Sequence, residues 1–281
     1  MYTISPGSAA SGLAYQLNQN HKNLQRSLHR LSTMKKINSG ADDPAGLAMS
    51  MKLGVQIRRT EAISTGVSNA TSYLQTQDGV LATAKSVLER MAELATFSTD
   101  GTKSSDQRAL YQIEFVNIQE QIDGMLSESF NGTAMFLTDS NTTVDNSISQ
   151  SATLSLTGQT MGISTLDLSS VSNLVGVNAL SAISVSTSSN ATVAAVAIDT
   201  AIENLSSLRA TNGSEQNRLG FASDLLDINK LNLEAADSRI VDLDLAAEMV
   251  NYSKYSFQED ATLALMAQAN SKSEKILKLL E

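Results

Sequence analysis

The sequence predicts a mainly α-helical protein, with a long antiparallel coiled-coil bundle built from its N- and C-terminal segments and a small β-hairpin region in the middle. Three observations carry that prediction. Apolar residues recur at alternating steps of three and four through both ends of the chain. A Ser-, Thr- and Asn-rich stretch, 138–195, lacks that spacing. Two polar interludes, RLSTMKKINSGADDPAGLAMS at 30–50 and SRIVDLDLAAEMV at 238–250, interrupt the helical patterns at similar distances from the two termini.

The first helical pattern places Ala14, His21 and Leu28 at heptad spacing, with Leu17, Leu24 and Leu31 three positions after each, a short coiled-coil seam. His21 occupies a core register there, where a polar residue that sets alignment is expected rather than a ligand. The second pattern runs Ile63, Val67, Ala70, Leu74, Gln77, Leu81, Ala84, Leu88, Met91, Ala95, with Gln77 as its one polar lapse. A helix from Pro44 to Thr99 would be roughly 80 Å long at ~1.5 Å per residue. After the loop TDGTKSS, whose Gly and Ser residues suit a reversal, comes a shorter series, Tyr111, Phe115, Ile118, Ile122 and Met125. The last pattern is the longest. Ile198, Leu205, Asn212, Leu219, Leu226, Leu233 and Ile240 share one heptad position, and Ala201, Leu208, Glu215, Ala222, Asn229, Ala236, Leu243, Val250, Phe257 and Ala264 share its companion. Asn212, Gly213 and Glu215 form a flaw in that seam. One-sided apolar stripes of this length need partners, because each Leu or Ile removed from water contributes about 1.5–3 kcal/mol.

Within 138–195, the alternation in TLSLTG (153–158) and STLDLSS (164–170), joined through 159–163 with Gly162, predicts a β-hairpin, and VSTSSNATV reads as exposed loop. The first interlude reads as a helix stop at Gly40, a loop, and a helix start at which Asp43 is the N-cap and Pro44 the first helical residue. Asp42 and Asp43, adjacent and without a third ligand, are a poor metal site, so capping is the preferred reading. The two interludes together predict a joint. Terminal helices pair on one side of it (1–44 and 241–281, with a spoke at 32–46). A longer bundle lies on the other side (45–137 and 196–240), carrying the 138–195 hairpin region.

Composition excludes several functions. The formal net charge of −9 argues against a nucleic-acid partner. No apolar run approaches a membrane span. The absence of cysteine removes disulfides, thiolate metal ligands and thiol nucleophiles. His21 and His29 are the only histidines, and neither HExxH, GxSxG nor a P-loop occurs, so no catalytic, cofactor or metal site is predicted. The N-terminus MYTISPGSAASGLAY lacks the basic and apolar regions of a cleaved secretory signal. The C-terminal ILKLL presents Ile276, Leu277, Leu279 and Leu280, an apolar end of the kind that marks association. If both ends carry such surfaces, contacts that do not close build an open helical polymer.

RLSTMKKINSGADDPAGLAMS resembles the N-terminal signature of bacterial flagellins, which runs close to RLSSGLRINSAKDDAAG. SRIVDLDLAAEM, MAQANSKSEKILKLL, RATNGSEQNRL and SFNGTAMF resemble further blocks of that family, in order, over about residues 17–136 and 196–280. The resemblance implies an extracellular subunit of the flagellar filament, without large outer domains, exported unfolded and without a cleaved signal. Its terminal helices would be disordered in the monomer and order as a coiled coil lining the filament channel. The implied partners are further copies of the chain, an export chaperone, and the junction and cap proteins. The implied inner assembly residues are Leu17, Leu24, Leu28, Leu31, Val250, Phe257, Ala264, Ile276 and Leu280, with Gly40, Asp42, Asp43 and Pro44 in the spoke. VLERMAELATF resembles the block gripped by the Toll-like flagellin receptor of animals, which makes Arg90, Leu94 and Glu114 candidate receptor contacts; the plainer reading is a solvated Arg90–Glu114 ion pair with Leu94 in packing. The chain departs from the family where Thr33–Met34 replaces Ser-Gly and TISPGSAA replaces an Asn-rich start. Asp-Asp-Pro at 42–44 looks more like the related hook–filament junction protein, which is the alternative reading together with a secreted adhesin or receptor ligand that never polymerises.

Overall fold

A computed structural model describes residues 6–137, 150–155, 157–163, 166–167 and 183–280. The elements in chain order are α1 (Pro6–Thr33), α2 (Pro44–Thr99), α3 (Ser105–Leu126), β1 (Ser129–Phe130), β2 (Thr133–Ala134), β3 (Phe136–Leu137), β4 (Gln150–Thr153), β5 (Thr160–Ile163), β6 (Leu166–Asp167), α4 (Ser188–Val241) and α5 (Leu245–Leu280). The chain divides into two compact units, one formed by residues 1–57 and 231–281, the other by 58–230.

The second unit is built on α2, α3 and α4. Of the apolar series in α2, Val67, Ala70, Leu74, Leu81, Ala84, Leu88, Met91 and Ala95 are buried, and the polar lapse Gln77 is buried with them. Phe115 and Ile122 of α3 and Ile198, Ala201, Leu205, Leu219 and Leu226 of α4 complete the core. The starts of α3 and α4 have local causes. Ser104 caps α3 in a capping box with Gln107, and Thr187 Oγ1 accepts from the Asn190 N–H at 3.2 Å to cap α4. At the end of α2, Arg108 donates to the Ser98 and Asp100 carbonyls at 3.0 and 2.9 Å, filling acceptors that a helix C-terminus leaves open.

Helix α4 starts earlier than the sequence predicts: residues 188–195, read as loop, are helical. Ala191 and Ala194 extend the buried stripe of Ile198 backwards by two turns, so tertiary burial overrides the poor helix propensity of the Ser, Thr and Asn residues. The β-hairpin exists but is displaced. Strand β4 pairs antiparallel with β5, Gln150 opposite Ile163 and Thr153 opposite Thr160, and Gly162 lies inside β5 opposite Ser151. The turn glycine is Gly158, at φ +82°, and Leu166–Asp167 pairs in parallel with Phe136–Leu137 instead of forming the second hairpin arm. The remaining parts of STLDLSS lie outside the described residues. In SFNGTAMF, Asn131 (φ 51°) and Gly132 (φ +79°) make a two-residue turn between β1 and β2, the left-handed pair such a tight hairpin requires. That hairpin is tied to α2 by an edge-on Tyr73–Phe130 contact at 5.8 Å and by Gln77 Nε2 donating to the Met135 carbonyl at 2.8 Å.

The flaw at Asn212 also has a cause. Its Nδ2 donates to Gln77 Oε1 (2.8 Å) and to the Leu74 carbonyl (3.2 Å), and its Oδ1 accepts from Gln216 Nε2 (2.6 Å). The two polar lapses of α2 and α4 therefore answer each other inside the core. Beside them Arg209 bonds both oxygens of Asp78, at 2.8 and 3.1 Å, which fixes the same level of the two helices from outside.

In the first unit α1 packs against α5. Helix α1 ends at Thr33, and the residue that turns the chain is Met34, at φ 56°, rather than Gly40, which keeps an ordinary φ six residues later. The left-handed conformation falls where the family pattern carries glycine. From there Lys36 N donates to the Val241 carbonyl (2.6 Å) and Leu243 N to the Met34 carbonyl (3.2 Å), with Lys35 opposite Asp242 in an antiparallel bridge. The two interludes meet, as the sequence predicts.

Candidate assembly surface

At the joint, Asp43 is the N-cap of α2: its Oδ1 accepts from the Ala45 and Gly46 N–H groups at 3.1 and 3.0 Å, and Pro44 occupies the first helical position. Asp42 serves the loop itself. Its Oδ2 accepts from Asn38 N (3.3 Å), Ser39 N (3.1 Å) and Ser39 Oγ (3.1 Å), while Arg30 and Arg26 stand 3.9 and 4.0 Å from Oδ1. Desolvation pushes this carboxyl upward, but the Ser39 hydroxyl, the two backbone donors and the Arg30 charge outweigh it and hold the group below its usual range. Gly46 is where the sequence reading missed a requirement. A Cβ there would lie 2.5 Å from Asp43 Oδ2 and 2.6 Å from Ile37 Cδ1, so any larger residue must displace the cap carboxylate and the buried Ile37 side chain. Asp244 repeats the device, its Oδ1 accepting from Ala247 N at 3.1 Å at the start of α5.

The α1 face turned toward α5 follows Leu17, Asn20, Leu24, Ser27 and Leu31. Leu17, Leu24 and Leu31 hold the predicted positions. The companion set is shifted by one residue: Asn20 and Ser27 are buried, whereas Leu28 is 47% exposed and His21 lies at the edge. The polar residues of the seam are matched across it. Asn20 Nδ2 donates to Thr262 Oγ1 at 3.2 Å, the Ser27 hydroxyl donates to the buried Glu248 carboxylate, and His21 Nδ1 lies 3.0 Å from Glu259 Oε1. Gln25 Nε2 lies 2.8 Å from His21 Nε2, so both ring nitrogens have a polar neighbour.

The predicted α5 series lies on the other side of that helix. Val250 is 68% and Phe257 75% exposed, and Ala264 is exposed as well. Met249, Leu263 and Leu265 flank them in the open. The reason is rotational: Glu248, Tyr255, Glu259 and Thr262 take the α1-facing positions, and a residue two places further on points away. Ile276 and Leu280 fall on the helical backbone of α5, but their side chains lie outside what the structure describes. The second unit exposes apolar side chains too: Leu110 and Ile113 on α3, and Phe221, Leu225 and Ile228 at helical spacing on α4.

Arg90 lies on the surface of the second unit. It donates to Glu114 Oε1 from Nε (2.9 Å) and Nη2 (2.7 Å) and to Glu93 Oε2 from Nη1 (2.8 Å), and these carboxylates, Glu114 foremost, push its pKa further up. Leu94 does not stand between them in solvent. It is 1% exposed, because the buried arc of α2 widens at this level: Leu88, Met91, Leu94, Ala95 and Ser98 are all buried. Among the described residues there is no group of three or more metal-ligating side chains, and no helix is long and apolar enough to cross a membrane.

An α-helical chain whose two ends pair through matched polar groups, and whose apolar side chains on α5 are left uncovered, is a structural subunit made to be packed among other molecules. The family model for the bacterial flagellin N-terminal helical region matches residues 4–142, and that for the C-terminal helical region matches residues 196–280. The chain is 33% identical over 273 residues to a flagellin of Halalkalibacterium halodurans, covering 97% of this chain and 96% of that one. It is 30% identical over 277 residues to the flagellar filament 30.7 kDa core protein of Treponema maltophilum, covering 93% of each. A putative flagellar hook-associated protein from Vibrio parahaemolyticus shares the fold, with a TM-score of 0.61 at 15% identity over 72% of this chain and all of that one. The chain belongs to the bacterial flagellin family, a family of structural proteins, and is a subunit of the flagellar filament.

Proposed function

We propose that the subunit enters the filament through the outward face of α5. Val250, Phe257 and Ala264, with Met249, Leu263 and Leu265 beside them, are covered there by the terminal helices of neighbouring copies. The observation that carries this reading is the exposure of Phe257 and Val250 at heptad spacing on a helix whose opposite face is already engaged by α1. A heptad stripe is the pattern a further helix packs into, and a contact of one surface against a different one on the next copy propagates without closing. Leu28, on the flank of α1, joins the same packing, and the Ile276–Leu280 end extends it. The joint at 34–43 and 241–244 forms the spoke between the inner and outer helical layers.

Export proceeds without a cleaved signal, and an export chaperone and the junction and cap proteins are the other partners of the chain. Animal receptor recognition, where it occurs, uses the exposed Arg90–Glu114 pair, because Leu94 is buried. The test is seeded elongation with Phe257→Asp. The variant is expected to remain soluble and to fail to extend parent filament fragments. Elongation at the parent rate would overturn the assignment of α5's outward face.

A further inference from the structure

The terminal seam departs from the usual arrangement of a two-helix coiled coil at its most buried positions. A pair of helices ordinarily buries its apolar side chains against each other and leaves polar ones outside. Here Asn20, Ser27, Glu248 and Thr262 are buried between α1 and α5, while Val250, Phe257, Leu263 and Leu265 of α5 are left outside. Leu17, Leu24 and Leu31 are only partly covered by this contact.

A buried hydrogen-bonded pair contributes little net adhesion, because its bonds replace equivalent bonds to water, yet leaving one partner unmatched is costly. Such groups therefore discriminate between registers more than they stabilise any one of them. Asn20 meets Thr262 in the observed register; a slip by one heptad sets it against Tyr255 or Ala269. Ser27 meets Glu248, and a slip by one heptad sets that buried carboxylate against Met34, which leaves it unpaired, or against Asn20, which then loses Thr262. His21 and Glu259 add a third matched level at the edge.

We infer that the polar layers Asn20–Thr262 and Ser27–Glu248 are specificity determinants of assembly: they fix the antiparallel register of α1 on α5 and keep the pair too weak to persist until neighbouring copies cover α5. The inference rests on the reading of α5's outward face as the assembly surface. Adhesion comes from that outward apolar stripe, and alignment comes from the inward polar one. A subunit built this way travels with its ends unpaired and locks them in one register only inside the polymer.

The test compares the full-length parent with the paired variant Asn20→Leu/Thr262→Leu and with the exchanged pair Asn20→Thr/Thr262→Asn. Amide hydrogen exchange of the monomer over residues 6–33 and 245–280 is the readout a merely structural role would not move in this direction. In the parent monomer these amides are expected to exchange almost as freely as an unfolded chain. The leucine pair is expected to slow them by about tenfold or more, raise the far-UV helical signal and reduce the rate of seeded elongation. The exchanged pair is expected to follow the parent. Unchanged exchange in the leucine pair, or slowed exchange in the exchanged pair, overturns the inference. Phe257→Asp separates the two readings: if it elongates normally while the leucine pair still slows exchange, the assembly face is wrong and the polar-layer account of seam stability stands. If it blocks elongation while the leucine pair leaves exchange unchanged, only the polar-layer account falls.

Discussion

Replacing Gly46 by alanine tests the joint through the sign of its effect. A glycine-to-alanine change in a helix ordinarily stabilises, by up to about 1 kcal/mol. At Gly46 the new Cβ would sit 2.5 Å from Asp43 Oδ2 and 2.6 Å from Ile37 Cδ1. Moving the carboxylate removes a cap worth about 1 kcal/mol, within a range of roughly 0.5–2. Displacing the buried Ile37 side chain costs about 1–3 kcal/mol, as overpacking of a filled site does. With the helix-propensity gain subtracted, the net is a destabilisation of about 1–3 kcal/mol. Gly54, in the same helix and the same unit, meets nothing within 4 Å, so Gly54→Ala retains the ordinary gain. The assay is the urea concentration at which assembled filaments dissociate and lose far-UV ellipticity. Gly46→Ala should lower it and Gly54→Ala should hold or raise it. Equal effects of the two, or stabilisation by both, would refute the argument that the cap and Ile37 close over residue 46.

Asn212→Ala removes the donor to Gln77 Oε1 in a fully buried residue and opens a small cavity, for a cost of about 2–4 kcal/mol, read as a lower urea midpoint of the monomer. An effect no larger than that of an exposed substitution would show that the buried amides do not hold α2 to α4. The Asp42 carboxyl, held below its ordinary range, stabilises the joint above about pH 4, and this contribution is lost as pH falls through the lower folded value. Asp42→Asn should therefore reduce filament stability at neutral pH and flatten its decline on acidification. An acid limb as steep as the parent's would exclude Asp42 as a source of that decline.

Much of the helical architecture was legible because burial on one side imposes a spacing that survives in the letters. The α2 series from Val67 to Ala95 and the α4 series from Ile198 to Leu226 point inward as their heptads require, and Asp43–Pro44 begins α2 for the reason its side chains give. What spacing cannot supply is the partner. Leu94 falls outside a single seam, yet it is buried with Leu88, Met91, Ala95 and Ser98, where the covered arc of α2 is wider than one seam. Val250, Phe257 and Ala264 are spaced as a seam, but spacing does not say whether a helix of the same chain or of another copy fills it, and the same ambiguity placed Leu28 and His21 inward. Gly40 looked like a helix stop because glycine tolerates a positive φ; the chain instead turns at Met34, six positions earlier, a conformation that composition gives no reason to expect of methionine. The hairpin was found but misplaced, since alternating Ser, Thr and Leu residues fit more than one register equally well and only Gly158's positive φ selects the turn. Asn212 and Gln77 each looked like defects and are a matched pair 135 residues apart, a correspondence that a single-chain pattern does not display.

In the proposed assembly only other copies of the chain cover the outward face of α5. A density map of the assembled filament, at a resolution that separates side chains, tests it most directly. Val250 and Phe257 are expected in contact with helices of neighbouring subunits, with Asn20 still opposite Thr262 within each one. Solvent over Phe257, or Asn20 paired with residues of another copy, would contradict it.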